Sequence, residues 1–229
     1  MRQFLRYFWG IIVHPRATFD ALAAQRTVRW GIAAGFLGVL QVWGNMALFA
    51  AFGQDWLGTK GLLADPTLIA GFGYWRVNLS GYVPVLAALM PLLSFIALAA
   101  TAGMAHLLSK LWGGRGTFDQ MINTLAFAFA VPGIVIGAAS EWIFGVPINL
   151  LTGQKYWWTA ALYGELGPRI GLIWNIYMFG IYLGFCWLWQ IVLGAMALRS
   201  VQKIPVWAAA LTMVGIFGAS MFLWSAFIR

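Results

Sequence analysis

The chain has 229 residues, of which 62% are hydrophobic and 9% are charged. A water-soluble domain usually carries about a quarter charged residues, so the composition excludes a soluble globular protein and predicts an integral membrane protein. The formal net charge of +8 lies mostly at the ends of the apolar segments, which predicts loop charges rather than a nucleic-acid-binding surface.

Residues 1–29 are predicted to form a cytoplasmic amphipathic segment that lies on the membrane surface. Five apolar side chains fall on one helical face: Phe4, Leu5, Phe8, Trp9 and Ile12. This pattern is typical of an interfacial helix. A plain flank of arginines that orients the first span is the alternative. A signal peptide is rejected because the apolar run is short and stops at "HPR".

Five apolar segments follow, at about 30–53, 82–112, 118–145, 169–198 and 205–228. Each exceeds the roughly 20 residues that a helix needs to cross a hydrocarbon core of about 30 Å. The links "GGRG" and "SVQKI" are short enough to make helical hairpins. We therefore expect an all-α fold with one five-helix transmembrane domain over residues 30–229.

Lys and Arg predict the orientation of the spans, because cytoplasmic loops carry the excess of positive charge. The N-terminal segment and the two short links hold most of these residues. The N-terminus is therefore predicted to be cytoplasmic and the C-terminus to lie outside. The two longer links are rich in Trp and Tyr, which favours an aromatic belt over a ligand site.

Glycines and prolines inside the spans are predicted to shape the bundle. The segments "GIAAG" and "GIYLG" are small-residue patterns that allow close helix contacts, through Gly31, Gly35, Gly180 and Gly184. Pro91 and Pro132 lie within the second and third spans, where each removes one helical hydrogen bond and can kink the helix.

The stretch "KLWGGRGTFDQMINTL" joins the second and third spans. It does not match a nucleotide-binding loop, since it follows a helix and lacks the Lys-Ser/Thr pair. Instead, Gly113 is predicted to end one helix, and Thr117 with Gln120 forms the capping box of the next. Lys110, Arg115 and Thr117 lie beside this helix start and can contact a lipid phosphate. A solvated basic turn is the alternative.

Polar residues inside the spans are the usual place to seek function in a membrane protein. The main candidates are Gln41, Asn45, Asn123 and Gln190. None of them is ionisable, so hydrogen bonds between helices are favoured over a proton relay. A polar path for a transported molecule is the alternative.

No catalytic or metal-binding constellation is predicted, because the chain has two histidines and the single cysteine Cys186. We therefore predict neither an enzyme nor a cofactor. His106, near the inner end of the second span, is the one residue that suggests a pigment or haem ligand, and simple packing is the favoured interpretation.

Three motifs and the five-span plan together resemble the bacterial branch of the Yip family, the Ypt-interacting-protein or "Yip-one" domain. They are "HPRATF" before the first span, "GGRGTFDQ" at the start of the third and the proline in "AFAFAVPG". The resemblance implies a multi-pass protein of the bacterial inner membrane. Eukaryotic relatives bind prenylated GTPases through an Asp-Leu-Tyr-Gly-Pro element, which this chain lacks, so no GTPase binding is inferred.

Three functional hypotheses follow. The leading one is a non-catalytic scaffold or accessory subunit that packs against partner membrane proteins and contacts anionic lipid headgroups at the cytoplasmic face. The alternative is a transporter, channel or lipid-handling protein with a polar path between the helices. The third is a subunit that binds a pigment or haem through His106.

Overall fold

A computed structural model of the protein describes residues 1–25, 27–51, 83–139, 143 and 184–227. Within residues 41–51, 83–87, 90, 93, 137, 138 and 220–227 it describes the backbone alone. All regular secondary structure in the described part is helical. The predicted all-α fold is therefore confirmed for these residues.

Seven α-helices are described: α1 Arg2–Val13, α2 Pro15–Ala23, α3 Arg29–Ala51, α4 Val83–Lys110, α5 Phe118–Pro132, α6 Leu188–Gln202 and α7 Val206–Phe227. Helix α5 continues into a π-helical segment, Gly133–Ala138. It lies at the centre, because it contacts α1, α2, α3, α4 and α6. Short links join α4 to α5 and α6 to α7, as the sequence predicted.

Two of the described helical stretches are long and apolar enough to cross a membrane, Phe118–Ile136 and Gly184–Gln202. Two shorter apolar stretches, Arg29–Leu40 and Val206–Ala219, lie on α3 and α7. Apolar helices of this kind are consistent with the predicted membrane protein.

The N-terminal helices α1 and α2 fold back onto the bundle. Ile11, Phe19 and Leu22 are fully buried in the core. Phe4 packs 5.3 Å from the Phe127 ring of α5, measured between ring centroids. The N-terminal segment is therefore a part of the fold that packs directly against the central helix.

The apolar stripe of α1 divides between two environments. Phe4, Phe8 and Ile12 pack against the core. Leu5 and Trp9 stay exposed, at 55% and 65% of their surface. Only the exposed part of the stripe is available to a membrane surface, because the other side chains are covered by the bundle.

Gly31 allows a close approach between α3 and α5. A Cβ atom at this position would lie 2.7 Å from the backbone oxygen of Ile122 and 2.8 Å from the Cα of Asn123. A Cβ at Gly35 would meet the Phe95 ring of α4 at 3.3 Å. The "GIAAG" pattern thus contacts two different helices.

The other predicted packing and kink residues have varied surroundings. Gly184 is exposed, and Gly180 lies outside the described residues. Pro91 lies inside α4, and Pro132 is the last α-helical residue before the π-helical segment. The change of helix type follows directly after the position where the proline removes a backbone donor.

The substitution Gly31→Ala is expected to destabilise the bundle, because the new methyl group meets backbone atoms that have no rotamer to change. Overpacking of this kind costs about 1–3 kcal/mol. Thermal unfolding in detergent should show a lowered midpoint. Gly38→Ala on the same helix is the matched control, since a Cβ there meets nothing within 4 Å. Equal midpoints for the two variants would contradict the close approach.

Candidate functional site

The end of α4 is closed by two glycines. Gly113 adopts a positive φ of 77°. Its N–H donates to the Lys110 oxygen at 3.0 Å, and the Gly114 N–H donates to the Ser109 oxygen at 3.0 Å. This pair of bonds is the Schellman motif, in which a left-handed residue follows the helix. The predicted helix end at Gly113 is confirmed.

The start of α5 has the predicted capping box. The Thr117 N–H donates to Gln120 Oε1 at 3.0 Å, and the Gln120 N–H donates to Thr117 Oγ1 at 3.5 Å. The other amide atom of Gln120, Nε2, donates to the Ala23 oxygen at the end of α2. One side chain therefore caps its own helix and binds a second one.

Gln202, the last residue of α6, forms hydrogen bonds with the turn between α4 and α5. Its side chain is fully buried, and Oε1 accepts a hydrogen bond from the Gly116 N–H at 3.0 Å. Its backbone oxygen accepts from the Arg115 N–H at 3.1 Å. A Cβ at Gly114 would lie 2.6 Å from Gln202 Oε1. The glycines of the turn therefore permit direct contact with α6.

His106 faces the same amide. Gln202 Nε2 lies 3.0 Å from His106 Nδ1. Because the Gly116 N–H donates to Oε1, the amide nitrogen must donate to Nδ1, and the imidazole proton lies on Nε2. A metal-bound histidine usually donates its second ring N–H to an acceptor. Here the second nitrogen meets a donor, which disfavours ligation through Nε2; the pigment or haem ligand stays a hypothesis.

The three residues predicted to contact a lipid phosphate lie on this turn. Lys110 Nζ donates to the backbone oxygens of Gly114 at 3.0 Å and Gly116 at 3.3 Å. Thr117 serves as the helix cap, and the side chain of Arg115 is exposed. Two of the three ammonium hydrogens of Lys110 therefore have acceptors in the turn itself. The contact with a lipid phosphate stays a prediction.

Asn123 connects the ends of two further helices. It is fully buried, and its Oδ1 accepts a hydrogen bond from the Gly31 N–H at 2.8 Å. Its Nδ2 donates to the Leu22 oxygen at 3.4 Å. Gly31 lies in the first turn of α3, where N–H groups have no partner within their helix. Two residues predicted for separate roles, Asn123 and Gly31, are thus hydrogen-bonded to each other.

Gln190 lies deeper in the bundle. Its Nε2 donates to the Phe129 oxygen on α5 at 3.3 Å, three residues before Pro132. The bond joins α5 and α6 near the change to π-helix. The other two predicted polar contacts, Gln41 and Asn45, have side chains outside the described residues.

The bonds of Lys110, Gln120, Asn123 and Gln202 together form what we call the helix-end network. It connects one end each of α2, α3, α4, α5 and α6. Sequence reasoning missed Gln202, Gly114 and Gly116 as members, since "SVQKI" was interpreted as a link and only Gly113 had a predicted role. Within the described part of the chain, no group of three or more His, Cys, Asp or Glu side chains can bind a metal.

Comparison with known proteins supplies one match. The family model of the Yip1 domain matches residues 9–227, from the middle of α1 to the end of α7. No curated protein and no solved structure matches the chain. The match covers every element of the helix-end network.

The substitution Gln202→Met is expected to destabilise the turn. Methionine has a similar shape but leaves the buried Gly116 N–H and His106 Nδ1 without partners, and an unsatisfied buried group costs about 1–3 kcal/mol. Thermal unfolding in detergent measures the loss. Gln3→Met, at an exposed residue of α1, is the control: it removes only an exposed bond to Tyr7 on the same helix and should lower the midpoint much less. The role of Gln202 is refuted if both variants have the same unfolding midpoint as the unmodified protein.

Proposed function

The chain belongs to the Yip1 domain family, and from this premise we propose that it is a five-span membrane protein that serves as a non-catalytic scaffold or accessory subunit. The family is not known for enzymatic activity. The proposed location is the bacterial inner membrane, and the proposed partners are other integral membrane proteins and the lipids of the cytoplasmic leaflet.

The outer surface of the bundle is the observation that carries this proposal. Leu92, Ile96 and Leu107 share one face of α4 and are exposed at 56%, 55% and 69% of their surface. Leu211 and Val214 of α7 are exposed at 58% and 54%. The buried side chains of Asn123 and Gln202, by contrast, form hydrogen bonds inside the bundle. A surface of this kind is suited to contact with lipid or with another apolar protein surface.

Helix lengths support five spans. The 23 residues of α3, the 28 of α4 and the 22 of α7 correspond to about 35, 42 and 33 Å at 1.5 Å per residue. These lengths exceed a hydrocarbon core of about 30 Å. With α5 and α6, they complete the proposed domain over residues 30–229. Residues 1–29 then lie at the cytoplasmic face, together with the helix-end network.

Reporter fusions test this arrangement. Green fluorescent protein is expected to fluoresce when it is fused before Met1 and to stay dark after Arg229, because it does not fold in the periplasm when exported unfolded. Alkaline phosphatase should show the opposite pattern. An active phosphatase at both ends, or at neither, would require an even number of spans, and activity at the N-terminus alone would require the opposite orientation.

Affinity purification of the chain in a mild detergent tests the scaffold role. We expect a stoichiometric membrane-protein partner, and a photo-reactive residue at Ile96 should cross-link to that partner. The matched control places the same residue at Ala102, which is fully buried on α4 and should give no adduct. The proposal rests on contact at an exposed face, so the adduct must depend on the position.

A monodisperse, partner-free monomer with no position-dependent adduct would contradict the scaffold role. Flux of an ion, solute or lipid across liposomes that contain only the pure protein would instead favour the alternative, a polar path between the helices.

A further inference from the structure

A groove of about 850 Å³ lies between α2, the end of α6 and the start of α7. Its volume falls in the range of small-molecule sites, about 300–1,000 Å³. The groove is separate from the α4–α5 turn, and none of its lining residues had a predicted ligand role. It is formed only because α2 folds back against α6.

One end of the groove is basic. Arg16 of α2, Arg199 of α6 and Lys203 line it, together with the single carboxylate of Asp20. Asp20 Oδ1 lies 3.7 Å from Lys203 Nζ, and both side chains are more than half exposed; a pair of this kind is weak. In the described part of the chain, no carboxylate lies within ion-pair distance of Arg16 or Arg199. The lining therefore retains an excess of positive charge.

The other end of the groove is apolar. Val192, Ala195 and Arg199 follow one another at helical spacing on one face of α6 and line the groove, and Lys203 lies directly after the end of the helix. The face changes from apolar to basic after Ala195. Val192 and Arg199 are separated by seven positions, which is roughly 10 Å along the helix. Val206, the first residue of α7, is exposed at 57% and also lines the groove, three residues after Lys203.

We propose that this groove binds one anionic phospholipid of the cytoplasmic leaflet. Its phosphate contacts the guanidinium groups of Arg16 and Arg199, which match phosphate oxygens in geometry and charge. One acyl chain lies along Val192 and Ala195. A phospholipid fits both ends of the groove, whereas a free phosphate would leave the apolar wall uncovered. The inference rests on the proposed membrane position and does not require a protein partner.

Lipid binding to the purified full-length chain tests the proposal. Native mass spectrometry in detergent should show one phosphatidylglycerol bound in preference to phosphatidylcholine. In the double variant Arg16→Gln and Arg199→Gln, affinity for phosphatidylglycerol should fall about tenfold or more, since hydrogen bonds to charged groups are lost. The matched control, Arg2→Gln with Arg6→Gln, removes the same charge outside the groove and should change affinity less than about twofold.

Two further measurements separate a lipid from a free anion and from a folding defect. Ala195→Phe fills the apolar end and should also weaken lipid binding, while soluble glycerol phosphate should not displace the lipid. The variant Arg16→Lys with Arg199→Lys keeps both charges and should recover most of the affinity. Recovery shows that loss in the Gln variant is not due to misfolding.

The proposal is overturned if the two charge-removing variants lose affinity equally, if glycerol phosphate competes as well as the lipid, or if phosphatidylcholine binds as tightly. Failure of the lipid-binding test leaves the scaffold role intact, because that role is tested by whether a membrane-protein partner co-purifies. Release of the chain from membranes without detergent would refute both the scaffold role and the lipid site, because both require a membrane-embedded protein.

Discussion

The helix ends of this bundle depend on one physical constraint, the cost of leaving backbone groups unpaired where water is scarce. A helix has N–H groups at its start and carbonyl groups at its end that have no partner in the same helix. Burying such a group without a hydrogen bond costs several kcal/mol in an apolar medium. Here Asn123 and Gln202 bond to backbone groups of neighbouring elements. Five helix ends therefore meet in one polar layer.

This layer also determines the arrangement of the N-terminal helices. The side-chain amides of Gln120 and Asn123 donate hydrogen bonds to the carbonyl groups at the end of α2, while Phe19 and Leu22 of α2 are buried in the core. The position of α2 brings Arg16 into the same groove as Arg199. The basic groove is thus a product of the same contacts that stabilise the bundle, and a change in the polar layer alters both.

Local rules in the sequence predicted local features well. The helix end at Gly113 and the capping box of Thr117 and Gln120 each depend on residues within one or two turns, and both are present. The bond between Asn123 and Gly31 joins positions 92 residues apart, and no local pattern indicates it. In the sequence, Gln202 belongs to the predicted link "SVQKI" of mixed polarity, so its burial follows only from the packing of the α4–α5 turn. The groove needs three elements to meet, which periodicity alone does not predict.

The double role of Gln120 has a mechanical consequence. Its Oε1 caps α5, and its Nε2 binds the end of α2, so α2 cannot lift from the bundle without disturbing the first turn of the central helix. The exposed Leu5 and Trp9 of α1 lie on the hairpin that leads into α2. A force that pulls on this hairpin is therefore transmitted to α5 through the two hydrogen bonds of Gln120 and the contact between the Phe4 and Phe127 rings.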